Sequence, residues 1–277
     1  MNAGWRGFRD VWLWLAAVPV LLPFWFVLVT AASPASGPKG SGWLPSGRPT
    51  TDNVVAAWRS AGRGAVSFGD ALRNSTLTTV AVVVLLIVLA APAGYTLARR
   101  GGRLAGAVFA AFAVGLIVPV QLGLITLYGL LVQVGLVGTW IGLVVVYVGF
   151  LLPLAVFLYT GFFRGLPTAY EDAASVDGAR PWRVLVDIVL PLVRPVTGTV
   201  ALLTGLFVWN DFFLGLVLVG GTPYETLPVA VYTFVGPYAA QWPLIFAGAL
   251  IAIVPVLLVY LALQRRIMTG FVSTLHG

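Results

Sequence analysis

The sequence predicts an all-α integral membrane protein with six transmembrane helices and both ends on the cytoplasmic side. Three observations predict it. Of the 277 residues, 60% are hydrophobic and only 9% charged, with a mean hydropathy of +0.99. Soluble domains carry about 25% charged residues, so this chain cannot cover itself with a solvated surface. The apolar residues come in charge-free stretches long enough to cross the hydrocarbon core, which takes about 20 residues. The basic residues lie between those stretches and are shared unevenly between the two sides.

Taken in order, Val11–Pro38 carries no charge and predicts a helix near 11–32. Asn74–Ala98 predicts one near 75–98. Leu104–Phe163 is 60 uncharged residues, room for spans near 104–125 and 139–160 with a hairpin between them. Val196–Tyr224 contains one charge, Asp211, and predicts a helix near 196–219. Thr226–Gln264 contains none and predicts an entry loop followed by a helix near 243–263.

With both ends inside, the cytoplasmic side holds Arg6, Arg9, Arg99, Arg100, Arg103, Arg164, Arg180, Arg183, Arg194, Arg265 and Arg266, eleven of the sixteen basic residues. The outer side holds Lys39, Arg48, Arg59, Arg63 and Arg73, all in or beside one long loop. Cytoplasmic loops are enriched in Lys and Arg, which selects this arrangement. It also accounts for the net charge of +7 without nucleic acid, because the basic residues form no stripe interleaved with aromatics. Arg6 and Arg9 before an apolar run have the look of a secretion signal. Signal cores span about 7–15 residues, and this longer run predicts an uncleaved first helix.

The chain thus divides near residue 70, into a first span with its external loop (1–70) and a remainder (71–277). The loop Ser33–Asp70 is rich in Gly, Pro and Ser, and is either a solvated connector or a surface for a delivery protein. Asn74-Ser75-Thr76 fits a glycosylation sequon, but at a helix start a capping role is expected. With no cysteine, disulfides, thiolate nucleophiles and Cys-ligated metals are excluded. The one histidine, His276, is next to last, so neither a His-based catalytic centre nor a metal site is expected.

The segment 164–195 is organised more tightly than a connector requires. Thr168 with Glu171 fits a capping box, in which the hydroxyl takes an early helix N–H and the carboxylate returns the bond. Pro167 bars a helix from running in from upstream. Glu171 and Asp172 fall in the first turn, where acids favour the positive end of the helix dipole. Gly178 suits a left-handed C-terminal stop, and Pro181 the first turn of a second short helix. Pro191 and Pro195 break the chain before the membrane. Ala173 and Ala174 add a small-residue patch where another protein surface can approach closely.

At these residues the sequence resembles the permease subunits of binding-protein-dependent ABC importers. Their cytoplasmic signature of Glu-Ala-Ala, Asp-Gly-Ala and Ile-x-Leu-Pro stands here as Asp172-Ala173-Ala174, Asp177-Gly178-Ala179 and Ile188-Val189-Leu190-Pro191. Aspartate replaces the leading glutamate, with Glu171 just ahead of it. Pro92-Ala93-Gly94-Tyr95-Thr96-Leu97-Ala98-Arg99, Trp209-Asn210-Asp211-Phe212 and the tail Gln264-Arg265-Arg266 with Gly270 resemble the carbohydrate branch, in particular the smaller maltose-system permease. The chain closes on Leu275-His276-Gly277, where that family has Val-Lys-Gly.

The resemblance implies a type I importer permease fold over 71–277, with a coupling helix in the loop 164–195. It implies a bacterial or archaeal cytoplasmic membrane, a second homologous permease subunit, two ATP-binding subunits and an extracytoplasmic sugar-binding protein. Tyr170, Glu171, Asp172, Ala173, Ala174, Asp177, Gly178 and Ala179 would contact the ATPase. ATP and magnesium would be held by the ATPase subunits and no cofactor by this chain, which has no GxxxxGK[ST] phosphate loop.

For the substrate pathway, Asp211 is an ionisable residue within a span, a functional candidate by default. It is flanked by Trp209, whose face suits a sugar ring, and Asn210, whose amide suits hydroxyls. Pairing of Asp211 with a neighbouring helix, or a place near the outer interface, is the equal alternative. Gln121, two residues after the helix-interrupting Pro119, is a second polar candidate. Gln133 and Tyr128 fall in the following hairpin. Gly94/Ala98 and Gly138/Gly142 have the spacing of helix-packing pairs. An ion-coupled secondary carrier relaying protons through Asp211 is the competing function, though no internal repeat supports it. A membrane enzyme is disfavoured, because the chain offers no acid–base or nucleophile pair.

Overall fold

A computed structural model describes residues 3–34, 43–44, 48–59, 66–236 and 240–273. Among them, four helices are long and apolar enough to cross a membrane: Trp12–Ala31, Phe68–Arg99, Trp140–Gly165 and Trp242–Ala262. A further crossing is formed by Pro181–Leu192 with Arg194–Asn210 when that pair, bent by 75°, counts as one. The described residues fall into two compact units, Met1–Leu72 with Leu227–Leu258, and Arg73–Thr226 with Val259–Gly277.

In the first unit the helix Ala3–Ala31 leaves most of its apolar side chains from Trp12 onward exposed, as suits a helix solvated by lipid. Its C-terminal carbonyls, which have no partner within the helix, are satisfied from the loop that follows. Buried Asn53 donates its amide to the carbonyls of Ala31 and Ser33, both at 2.7 Å. The loop is therefore not a plain connector: it contains the helix Asp52–Arg59, tied down by Asn53. Phe26 packs edge-on against Trp43 and Phe246. Ser67 caps the Phe68–Arg99 helix by accepting from the Asp70 amide (3.1 Å) while donating to its carboxylate (2.7 Å). Lys39 and Arg63 lie outside the described residues, as do the side chains of Arg6 and Arg9.

The second unit is built around Trp140–Gly165. Leu143, Tyr147, Leu151, Ala155, Tyr159 and Phe163, spaced by four, are all buried. They form one apolar stripe along a helix face. Helices Arg103–Gly115 and Arg194–Asn210 pack against this helix. Gly94 makes a close approach possible: a Cβ there would lie 2.7 Å from the Tyr159 Cβ and 3.0 Å from the Thr160 amide. Of the two small-residue pairs, Gly94/Ala98 serves helix packing. Gly138/Gly142 does not, because Gly138 is a turn residue with φ +75°, its amide bonded to the Leu218 carbonyl at 2.9 Å.

Three expected elements come out differently. The single helix expected over 104–125 is two, Arg103–Gly115 and Val120–Gln133. Pro119 lacks an N–H and sits in extended backbone (φ −65°, ψ 129°), so the first helix cannot run through it. The helix expected over 196–219 is likewise Arg194–Asn210 followed by Phe213–Val219. The second short helix after Gly178 extends from Pro181 to Leu192 through a π turn at Val184–Val189. The Leu190 amide reaches back five residues to the Leu185 carbonyl. This widened turn makes room for the Pro191 ring, which in an α-helix would meet the carbonyl four residues back.

Replacing Gly94 with Ala forces the two helices apart and should destabilise the bundle by about 1–3 kcal/mol. A lowered thermal unfolding midpoint in detergent, with the neighbouring Ala93→Gly as a mild control, would register it.

Candidate functional site

The helix Ala169–Val176 is eight residues long and starts where Pro167 stops its predecessor. Isolated helices this short are not stable in water, so its position depends on what it is fastened to. At its C-terminus the fastening is local and as expected. Gly178 adopts φ +77°, its amide bonds the Ser175 carbonyl (3.1 Å) and the Ala179 amide bonds the Ala174 carbonyl (3.0 Å). This is a Schellman stop, and it needs a residue tolerant of the left-handed region. Pro181 then opens the next helix from an extended Arg180.

The N-terminus departs from expectation. Thr168 is already helical in backbone (φ −72°, ψ −14°) and its hydroxyl makes no capping bond. Its carbonyl instead accepts from the amides of Glu171 (2.8 Å) and Asp172 (2.9 Å). The Glu171 side chain, expected to complete a capping box, turns toward the membrane bundle. Oε1 accepts from Arg99 Nε (2.8 Å) and Nη2 (2.6 Å), and Oε2 from the Tyr95 hydroxyl (2.8 Å). The Arg99 and Glu171 side chains are 17% and 12% exposed. A charged donor outcompetes the neutral backbone N–H of a capping box.

Arg99 has more donors than one carboxylate requires. Its Nη1 bonds the Phe163 carbonyl at 2.8 Å and Nη2 the Leu166 carbonyl at 3.1 Å, the unsatisfied end of Trp140–Gly165. The Tyr95 ring lies edge-on to Phe163, and Phe163 stacks on Tyr159. Beside them, the Arg164 guanidinium sits 4.4 Å from the centre of the Phe109 ring, a cation–π contact between two helices.

The eight candidate contact residues therefore divide. Glu171 and buried Ala174 face the bundle, with Ala174 joining the apolar cluster that includes Val184 and Leu185. Tyr170, Asp172, Ala173, Val176 and Asp177 are exposed, as is Trp182 on the next helix. Ala173 and Ala174 thus do not form one patch, since only Ala173 is offered outward.

The pathway candidates divide in the same way. Asp211 lies at the break after Asn210, where its Oδ2 accepts from the Tyr147 hydroxyl (2.9 Å) and from the Leu214 (2.9 Å) and Gly215 (3.4 Å) amides. It caps Phe213–Val219 and bonds a neighbouring helix, the alternative left open by the sequence. Trp209 is buried, whereas Asn210 is exposed and donates to the Leu206 carbonyl at 2.8 Å. Gln121 is exposed on the first turn of Val120–Gln133. Gln133 and Tyr128 belong to that helix and not to a hairpin. Asn74 caps nothing in its own helix: its amide holds the carbonyls of Pro223 (2.9 Å) and Glu225 (3.0 Å). The side chains of Gln264–Arg266 and the closing Leu275-His276-Gly277 lie outside the described residues.

Sequence reasoning missed the partners. In the sequence Arg99 enters through the charge balance and a family resemblance, Tyr95 through the resemblance alone, and Tyr147 not at all. The available signal was a lone phenol within an uncharged span, and an arginine at a helix end that needs an acid.

Residues 87–270 match the family model of the binding-protein-dependent transport system inner membrane component. The chain belongs to that family. It is 32% identical to the melibiose/raffinose/stachyose import permease protein MelC of Bacillus subtilis (strain 168), over 94% of this chain and 92% of the relative. To the trehalose transport system permease protein SugB of Mycobacterium tuberculosis (strain CDC 1551 / Oshkosh) it is 34% identical, over 91% of each. The crystal structure of a bacterial ABC transporter that imports the acidic polysaccharide alginate contains a chain of the same fold, with TM-score 0.79 at 20% identity, covering 96% of this chain and 98% of that one. The matched residues contain the whole Arg99–Glu171 cluster and the exposed helix it supports. An ion-coupled carrier relaying through Asp211 is set aside, because this family is that of transport components served by a binding protein.

Two substitutions probe the site's construction. Gly178→Ala, with open space around the added methyl, costs only the backbone strain, about 1–2 kcal/mol. Faster amide hydrogen exchange at Gly178 and Ala179 would report it. Tyr147→Phe deprives Asp211 of its donor and should cost about 1–3 kcal/mol of thermal stability, whereas Tyr128→Phe should cost nothing measurable.

Proposed function

We propose that the chain is the transmembrane subunit of an ATP-driven importer, forming half of the pathway for a carbohydrate or oligosaccharide that an external binding protein delivers. The carbohydrate reading is supported by the two relatives, each named for sugar import and matched over more than nine-tenths of this chain. The single observation that carries the ATP-driven reading is the helix Ala169–Val176. It is short, sharply ended at Gly178, exposed along Tyr170, Asp172, Ala173 and Val176, and braced from behind by Arg99.

Such a helix has what a lever needs: a rigid stop, a free face and a firm attachment. On this reading it seats against an ATP-binding subunit, with Asp172 in the place of the family's leading glutamate. The assembly contains this chain, a second homologous permease, two ATP-binding subunits that hold ATP and magnesium, and the binding protein. It sits in the cytoplasmic membrane of a bacterium or archaeon. Six crossings result when the broken segments 103–133 and 194–219 each count as one span, with both ends and the segment 164–195 on the cytoplasmic side. Gln121, Trp209, Asn210 and Asp211 are the candidate pathway residues, Asn210 and Gln121 by exposure, Asp211 by shaping the break that displays Asn210.

The native chain has no cysteine, so single introduced cysteines report the orientation. Ser175→Cys should react with an impermeant maleimide only in inverted vesicles, and Trp58→Cys only in intact cells. In proteoliposomes with the three partner types, uptake of melibiose, raffinose or trehalose should require ATP. Uptake persisting without ATP, or a fully active chain purified without an ATPase, would overturn the assignment. Asp172→Ala should lower the uptake obtained per ATP hydrolysed while the partners still assemble.

A further inference from the structure

We infer that Glu171 is a positioning residue and not an ATPase contact, and that the Tyr95–Glu171–Arg99 cluster is the joint through which the Ala169–Val176 helix drives the membrane bundle. This rests on the importer reading above. It assigns Glu171 a role opposite to the one its place in the sequence suggests.

The argument begins with the ways force can leave an eight-residue helix. Through the backbone it can pass upstream across Leu166–Thr168, extended at Leu166 (ψ 126°), or downstream through the glycine turn at Gly178. The downstream path then traverses a π turn and a 75° bend at Val193. A helix interrupted by a π turn and a sharp bend transmits displacement poorly along its axis. The remaining routes are side-chain contacts. The helix also packs closely on the Val184–Val189 turn, where buried Ala174 joins the apolar cluster of Val184 and Leu185, a contact that is non-directional. The Glu171 carboxylate, by contrast, is held by three hydrogen bonds of 2.6–2.8 Å that reach directly to the end of Phe68–Arg99.

The same guanidinium holds the carbonyls of Phe163 and Leu166, so the cluster joins three elements at one point. Both carboxylate oxygens are occupied from within the chain, and the side chain is only 12% exposed. Little remains of Glu171 for a partner protein to touch. Asp172 and Tyr170, its neighbours in sequence, are the exposed ones. Contact and attachment are thus divided between adjacent residues of one helix, about 100° apart around its axis.

The test uses the assembled transporter in proteoliposomes, reading ATP hydrolysis with and without the binding protein, and ATP-driven uptake of melibiose, raffinose and trehalose. Arg99→Ala and Glu171→Ala should each retain hydrolysis but lose about tenfold of uptake per ATP, the scale of an ordinary coupling free energy. The double change Arg99→Ala with Glu171→Ala should lose no more uptake than Arg99→Ala alone, the non-additivity expected of directly paired residues. Tyr95→Phe, which keeps the ring against Phe163, should lose about twofold to threefold.

If Glu171 touches the ATPase instead, Glu171→Ala uncouples while Arg99→Ala does not, or the losses of the two single changes add in the double change. Either result overturns the inference, as does full coupling in both single variants. Should a single alanine change prevent assembly, Arg99→Gln and Glu171→Gln carry the test: loss of uptake per ATP in both supports the inference, and full coupling in both overturns it. A parent complex that shows no ATP-dependent uptake and no stimulation by the binding protein fails differently, by removing the importer reading itself.

Discussion

One guanidinium organises the end of the bundle that carries the Ala169–Val176 helix. Arg99 terminates Phe68–Arg99, satisfies the C-terminal carbonyls of Trp140–Gly165 and holds the first turn of the next helix through Glu171. In lipid or near it, an unsatisfied carbonyl or an isolated charge is costly. Two carbonyls at a helix end and a carboxylate are all met by one planar donor whose geometry suits several acceptors at once. Taking away either member of the ion pair leaves its partner stranded in a largely buried place, at a cost of about 3–5 kcal/mol. That asymmetry is why the pair fixes geometry more than it adds stability.

The rest of the second unit hangs on the helix to which Arg99 is tied. Trp140–Gly165 presents its buried stripe every fourth residue, and polar ties occur along it at intervals. Trp140 donates to Thr78 at 3.0 Å, Tyr147 to Asp211 at 2.9 Å and Tyr159 to Thr197 at 2.9 Å. Between helices in lipid, where apolar packing has no competing water to exclude, such bonds and close small-residue approaches set the register. Gly94 against Tyr159 supplies the close approach, and the three side-chain bonds lock it. The breaks are equally ordered. Asp211 interrupts its span yet is matched by a tyrosine and two amides, so irregular backbone within the membrane is satisfied by protein.

Much of the candidate site was legible along the chain, and the parts that were share a cause. Gly178 and Pro181 act through φ angles and missing N–H groups, which are properties of the residue itself and hold wherever it is placed. Pro119 acted in the same way, although its strength in splitting a helix was underestimated. Thr168 and Glu171 were misread because a capping box is a local option, and a local option yields to a charged partner arriving from 72 residues away in sequence. Asp211 was ambiguous for the converse reason: a carboxylate inside a span must have partners, but the sequence names none of them.

By itself, then, the sequence determined that the chain lives in lipid, which stretches are apolar enough to lie there, where short helices stop and which signature the loop carries. Those follow from solvation and backbone chemistry, which are written one residue at a time. Only the tertiary structure decided which way Glu171 points, that Ala173 and Ala174 part company, that Asp211 is held by Tyr147, and that Arg99 is the common partner of three elements. Those depend on residues far apart in the chain meeting within about 3 Å, the reach of a hydrogen bond. The fold has to exist before such a distance has any meaning.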